Sequence, residues 1–147
     1  MIKDIEGFNY TISDTGEVAN KKTGRILNPS KSSNGYLYVC LRKEGANKLY
    51  RLHRLLGIYF LGCTSDKVMD HIDGNKLNNA LSNLRVVTQH QNTMNRHTAK
   101  GYSWHCPSKK WMAQIMLNGK NKNLGYFEKE TDARAAYLAA KDVYHVI

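Results

Sequence analysis

Proline is scarce in this chain, with two residues in 147, and cysteine is little commoner, with three. Cys40, Cys63 and Cys106 are widely spaced and form no CxxC pair. That spacing argues against a disulfide framework and against a structural zinc site, and it suits a reducing cytoplasm. No apolar run approaches the roughly 18 residues needed to cross a bilayer, so no membrane partner is expected. The opening MIKDIEGFNYTIS carries acids and lacks a long apolar stretch, so a secretory leader is not expected either. Acidic residues are also in short supply, 12 against 22 lysines and arginines, for a formal net charge of +10. An excess of that size predicts attraction to a polyanion.

The charge is unevenly spread. Residues 1–60 hold ten Lys/Arg against five acids, residues 61–99 four against three, and residues 100–147 eight against four. Two basic flanks therefore enclose a nearly neutral middle, a distribution suited to gripping phosphates around a centre with another task.

The first third has the pattern of antiparallel β structure. YTISDTGEVAN alternates apolar and polar residues around a DTG turn, TGRILNPS adds a second turn-bounded strand, and NGYLYVCLRKEGANKLYRLHRLL has the form of a hairpin broken at 44–47. From His53 the period changes. Leu52, Leu55, Leu56, Tyr59 and Phe60 fall at helical spacing, ended by Gly62. In the middle, KVMDHID is a short strand leading to a Gly74-Asn75 turn, NKLNNALSN a polar loop, LRVVT a second strand, and QHQNTMNR a helix. From about Lys100, three strand-like pieces are separated by turns at 107–109 and at Asn118-Gly119-Lys120, the second containing the strongest short hairpin signal. A last helix follows, with Thr131 as its expected N-cap and Ala135, Ala136, Leu138 and Ala139 expected against the sheet. No internal repeat or low-complexity linker is visible.

The middle holds the chemistry. Asp70 and His71 are adjacent on a strand, so their side chains point to opposite faces and can take different roles. An aspartate suits an oxygen ligand to a metal, and an imidazole suits a general base. Asn92, some twenty residues on, offers an amide oxygen, and an oxygen-only site is what hard divalent cations prefer. Taken alone, an Asp-His dipeptide is more often the end of a surface strand, and asparagine runs are more often turns.

The wider pattern, Asp70-His71-Ile72-Asp73-Gly74, then Asn78-Asn79, Asn83-Leu84-Arg85, Thr88, Asn92 and Asn95, resembles the HNH endonucleases of the bacteriophage and intron homing type, with their ββα-metal core. The resemblance implies His71 as the base that activates water, Asp70 and Asn92 as ligands of one divalent cation (Mg²⁺ or Mn²⁺), and Asn83 as the residue that holds the loop so that His71 points correctly. His90, two residues before Asn92, is the other possibility for the last ligand. Arg85 and Arg96 are implied as phosphate contacts. Amides can fix a loop and ligate a metal without adding negative charge that would repel DNA.

The flanks resemble companions of this nuclease. Residues 1–50 look like the modular β segment that commonly precedes such a core, with His53 and Arg54 at the start of the joining helix; His53 is expected to be structural rather than a further motif histidine. Gly101, Trp104, KKWMAQI, NLGYF and ARAAYLAA resemble the plant ethylene-response-factor (APETALA-type) DNA-binding domain, a three-stranded sheet backed by one helix. That implies Lys110, Met112, Gln114 and Met116 facing a DNA groove, with Ser103, His105, Asn121 and Asn123 beside them. It further implies Gln114 on adenine, and Lys109, Lys120 and Lys122 on phosphates. Trp104 and Trp111 are expected in the core. The plant domain's groove-facing arginines and tryptophan are mostly missing, so its target sequence does not transfer.

The resulting expectation is an α+β protein in three segments: residues 1–50 an N-terminal antiparallel β segment, 51–98 the nuclease core, and 99–147 a three-stranded antiparallel sheet packed on one helix. Its partner is double-stranded DNA, as monomer or homodimer, in the cytoplasm of a bacterial host. The competing class is a DNA-binding regulator with a decayed nuclease, against which Asp70, His71 and Asn92 are all present. An RNA-binding module, for which the aromatic stacking platforms are lacking, ranks below both.

Overall fold

The computed structural model describes residues 1–94, 96 and 99–145, and its architecture is α+β as expected. Twelve strands and three helices are seen among the described residues, every strand pair antiparallel. Two compact units divide the chain, Met1–Gln89 and His90–Ile147.

In the first unit, β1 (Ile2–Asp4), β2 (Tyr10–Ser13), β3 (Val18–Asn20) and β4 (Ile26–Leu27) form a meander in that order. A second sheet joins β5 (Ser30–Lys31), β6 (Leu37–Lys43) and β7 (Ala46–Arg51). The β6–β7 turn is tighter than the sequence suggested, with Glu44 and Gly45 alone spanning it, both at positive φ (51° and 80°). Two successive positive φ values give the turn twist that matches paired strands. Helix α1 (Leu52–Phe60) follows without a break, then β8 (Val68–His71), a 3₁₀ turn at Leu81–Asn83, and β9 (Leu84–Val87).

One apolar core serves all of these. Ile12, Val18, Val39, Leu41 and Leu56 are fully buried, joined by Leu52, Leu55, Met69 and Leu84. This core crosses the expected 50/51 boundary, so the N-terminal sheets and the β8–β9 hairpin share one interior. Gly57 explains how closely α1 approaches β8, because a Cβ there would collide with the Met69 side chain. Cys63 is buried next to Arg54, whose Nη1 donates to its Sγ at 3.0 Å, while Cys40 and Cys106 are exposed.

The division between the units falls at 89/90, one residue into α2 (Gln89–Met94). Strands β10 (Tyr102–His105), β11 (Lys110–Leu117) and β12 (Lys120–Phe127) form one sheet, backed by α3 (Glu130–Tyr144). The Asn118-Gly119 turn is the two-residue hairpin its sequence predicts, with φ of 48° and 77°. Helix α3 begins at Glu130 after Lys129, with no side-chain cap, so Thr131 lies inside the helix and is not its N-cap. Its packed face is Ala133, Tyr137 and Ala140, while Leu138 is 46% exposed. The expected face of Ala135, Leu138 and Ala139 is thus rotated outward. Tyr137 sets the rotation by stacking on Gly101, where any Cβ would overlap its ring.

Candidate active site

Along β8 the burial alternates. Met69 and His71 are buried, Val68 and Asp70 half-buried, so Asp70 and His71 do face opposite ways. The pairing with β9 sets Asp70 directly across from Arg85 and His71 across from Leu84.

His71 is 5% exposed, and its Nε2 lies 2.9 Å from the Asn79 Oδ1. An amide oxygen can only accept, so Nε2 is the donor of this bond, and in the neutral ring the lone pair is on Nδ1. Behind it stands His53, also 5% exposed, edge-on to His71 with ring centroids 5.0 Å apart. Tyr36 completes the stack, 4.9 Å from His53 and 6.1 Å from His71. The His53 Nδ1 is buried without a hydrogen-bond partner. Burial above all, with the neighbouring His71, Arg51 and Arg54, pushes its pKa down to about 4. His53 is accordingly a neutral packing surface for the His71 ring, in keeping with a structural role.

The asparagine run closes a lattice around the loop from 72 to 83. Asn83 donates from Nδ2 to the Asp73 Oδ1 at 2.9 Å and to the Asn78 carbonyl at 2.8 Å. Its Oδ1 accepts the Asp73 N–H at 3.0 Å, and its own carbonyl accepts the Ile72 N–H at 2.8 Å. The Asn78 amide donates to the other Asp73 oxygen at 2.8 Å. Donors from Asn78, Asn83 and the Asn75 backbone hold the Asp73 carboxyl below the usual carboxylate range. Asn83 therefore ties both ends of the loop that leaves His71, while Asn79, within the same loop, grips the ring itself.

Arg85 has a partner the sequence did not indicate. Its Nε and Nη2 both donate to the Asp70 Oδ2, at 2.8 and 2.6 Å, so it is paired with Asp70 within the site. Asp70, His71, Asn83 and Arg85 are thus brought together in the first unit. Asn92 is half-buried on α2, in the second unit, as is the exposed Arg96 just beyond that helix. Asn95 lies outside the described residues. Among the described residues no group of three or more His, Cys, Asp or Glu side chains could hold a metal. Within the first unit Asp70 is a hard oxygen donor of the kind Mg²⁺ or Mn²⁺ would take, with most of the cation's positions left to water and phosphate.

The second unit has its own polar face. Pairing places Ser103, Lys110, Met112, Gln114, Met116, Asn121, Asn123 and Tyr126 on the side of the sheet away from α3. His105 shares that face, its ring 5.0 Å from Tyr126 and its Nδ1 2.8 Å from the Ser108 Oγ. The Asn123 Oδ1 accepts the Gly125 N–H at 2.7 Å. Lys109 is exposed in the turn at positive φ (51°). Lys122 is turned the other way, with its Nζ 2.7 Å from the Tyr144 hydroxyl on α3, and Lys120 shares its face. Lys120 and Lys122 alternate with Asn121 and Asn123, so with those asparagines on the outer face the two lysines stand on the side toward α3; a register slip at Ala113/Gln114 leaves Leu124 as an extra residue in β12. Trp104 is also corrected. It packs on Trp111 at 5.3 Å but is 48% exposed.

Sequence reasoning did not single out Tyr36, or Asn79 as the partner of the His71 ring. Asn79 carried a signal as half of the Asn78-Asn79 pair; Tyr36 carried none, since only the fold brings the residue before β6 to the His71 ring.

A hairpin bearing Asp and His, an amide-braced loop and a following helix make up the layout of a ββα nuclease centre. Residues 50–94 match the HNH endonuclease family model and residues 1–42 the NUMOD4 motif. The DNA endonuclease I-HmuI of Bacillus phage SP01 is 43% identical over 97 residues, 64% of this chain and 56% of that protein. The H-N-H endonuclease F-TflII of Escherichia phage T5 is 35% identical over 97 residues, 64% and 50% of the two chains. A solved structure of I-HmuI, from work on DNA binding and cleavage by that homing endonuclease, superposes with a TM-score of 0.61 at 35% identity, covering 84% of this chain and 76% of the other. The chain belongs to the HNH endonuclease family. It spans about half the length of the curated relatives it matches.

Proposed function

We propose that this protein is a homing-type endonuclease that hydrolyses phosphodiester bonds of double-stranded DNA with one divalent cation. The observation that carries the reading is the His71 ring: buried, bonded through Nε2 to Asn79, and left with its lone pair on Nδ1 one residue from Asp70. A neutral imidazole in that tautomer takes a proton from water, whose oxygen attacks phosphorus as the 3′ oxygen leaves. Asn79 holds the ring, Asn83 holds the loop, and the His53–Tyr36 stack denies the ring a second position. Asp70, with Asn92 as the resemblance implies, would hold Mg²⁺ or Mn²⁺, and the cation would offset charge on the phosphate and on the leaving oxygen.

The second unit supplies recognition in this reading. Its outer sheet face, like that of the ethylene-response-factor domain it resembles, enters a groove with Gln114 on base edges and Ser103, His105, Met116, Asn121 and Asn123 alongside. Lys109, Lys110 and Arg96 take phosphates. Support comes from the exposed, mostly uncharged character of that face and the lysines at its rim.

The test is incubation of supercoiled plasmid and phage genomic DNA with Mg²⁺, Mn²⁺ or EDTA. Relaxation or linearisation that needs the cation supports the assignment. Salt-sensitive binding with no cation-dependent cutting of either DNA would replace it with a DNA-binding role.

A further inference from the structure

Arg85 spends both of its bonds on one oxygen. Nε and Nη2 converge on the Asp70 Oδ2, and among the described residues nothing donates to Oδ1. Asp70 is only 12% exposed at its side chain and Arg85 29%, so water screens the pair weakly. Two consequences follow. The carboxylate is fixed with Oδ1 as the oxygen left for another ligand. The pair is also electrically neutral, because a guanidinium keeps its charge at any working pH. The other carboxylate in the loop does not make up the deficit, since Asp73 is bound up by Asn78, Asn83 and the Asn75 N–H.

We infer that Arg85 is a positioning residue that makes cation binding at Asp70 depend on bound DNA. Resting on the nuclease reading above, the inference adds an order of events. In the free protein a divalent cation meets a carboxylate whose charge is already cancelled, so it binds weakly. When DNA is seated, its phosphate would add the negative charge that offsets Arg85, and Asp70 would then hold the cation more tightly. The coupling is reciprocal, so the cation tightens DNA by the same factor that DNA tightens the cation. A nuclease built this way carries little cation until it holds a substrate.

Mn²⁺ binding to the full chain tests this directly, read by electron paramagnetic resonance and by calorimetry without any turnover. All titrations use the His71→Ala background, with and without a duplex that the unmodified protein cuts, and with duplex alone subtracted. The expected result is Mn²⁺ affinity at least about tenfold higher with DNA than without, inside the usual range of coupling between sites. Arg85→Gln should bind Mn²⁺ about tenfold tighter than its parent in the absence of DNA and lose most of the coupling. Arg85→Lys keeps the charge and should stay within about twofold of its parent on both counts. Adding Asp70→Asn to Arg85→Gln should remove the gain, which ties it to this carboxylate. Equal Mn²⁺ affinity with and without DNA overturns the inference with no variant needed, as does an Arg85→Gln protein, folded by circular dichroism, that binds Mn²⁺ no tighter. Absence of Mn²⁺ binding even with DNA would overturn the nuclease reading as well, so the two failures are distinguishable.

Discussion

The two units handle polar side chains in opposite ways. In the first, His71, His53 and Asn83 are buried among apolar neighbours, and the loop beside them is closed by hydrogen bonds between side chains. In the second, Ser103, Lys110, Met116, Asn121 and Asn123 are exposed on a sheet face, and the core behind them is small, centred on Ile115, Tyr137 and Ala140. The difference suits the tasks proposed. A general base must be held within a fraction of an ångström, which close-packed rings and a hydrogen-bonded loop achieve. A reading surface must exchange water for DNA edges, which requires that its side chains begin free.

Substitutions should expose that contrast. Asn83→Ala has the largest expected effect on stability, because its side chain makes three hydrogen bonds in a half-dry loop. At about 1 kcal/mol net each, the loss is about 3 kcal/mol, measurable by urea unfolding, and cutting should fall steeply even where the protein remains folded. Gly57→Ala strikes the same unit from the other side. It forces α1 off Met69 and should cost about 2 to 3 kcal/mol, despite alanine's better helix propensity. An unchanged melting temperature would refute the close approach of α1 to β8.

Acid should act on the first unit through His53. Its folded pKa is depressed to about 4 from 6.5, so below the unfolded value the unfolded chain binds the extra proton. Stability is therefore full above about pH 6.5 and falls as pH drops toward 4. The expected loss is about 2 kcal/mol between about pH 7 and pH 5. His53→Phe should flatten that part of the profile, and a slope that persists in the variant would point to another group. The smallest effect belongs to the second unit: Gln114→Ala should leave the melting temperature within a degree or two and weaken specific DNA binding by about 1 to 2 kcal/mol. A large loss of stability instead would show Gln114 to be part of the core.

How much of this was legible in the sequence depended on how local each feature is. Asp70 and His71 fall on opposite faces because a strand alternates, and two adjacent residues are enough to see it. The Asn118-Gly119 turn and helix α1 are equally local. The Arg85–Asp70 pair was not legible because it is set by the register between β8 and β9, which the residues of neither strand disclose alone. Lys122 turns toward α3 because it alternates with Asn121 and Asn123, and its ammonium meets the Tyr144 hydroxyl, a contact no neighbouring residue discloses. The packed face of α3 was misread because ARAAYLAA is alanine-rich on nearly every side; the choice is made by Tyr137 meeting Gly101, a contact with a strand some thirty-five residues away. The Tyr36–His53–His71 stack joins three elements of the first unit, and no spacing in the chain announces it.

The account rests on His71 as the base, and one comparison tests that most directly: single-turnover cutting of duplex DNA by the unmodified protein and by His71→Ala, at equal DNA occupancy and saturating Mn²⁺. The prediction is a rate lower by about a thousandfold in the variant, within the range for loss of a general base, with DNA binding unchanged. Cutting by His71→Ala within a few fold of the unmodified protein would contradict it.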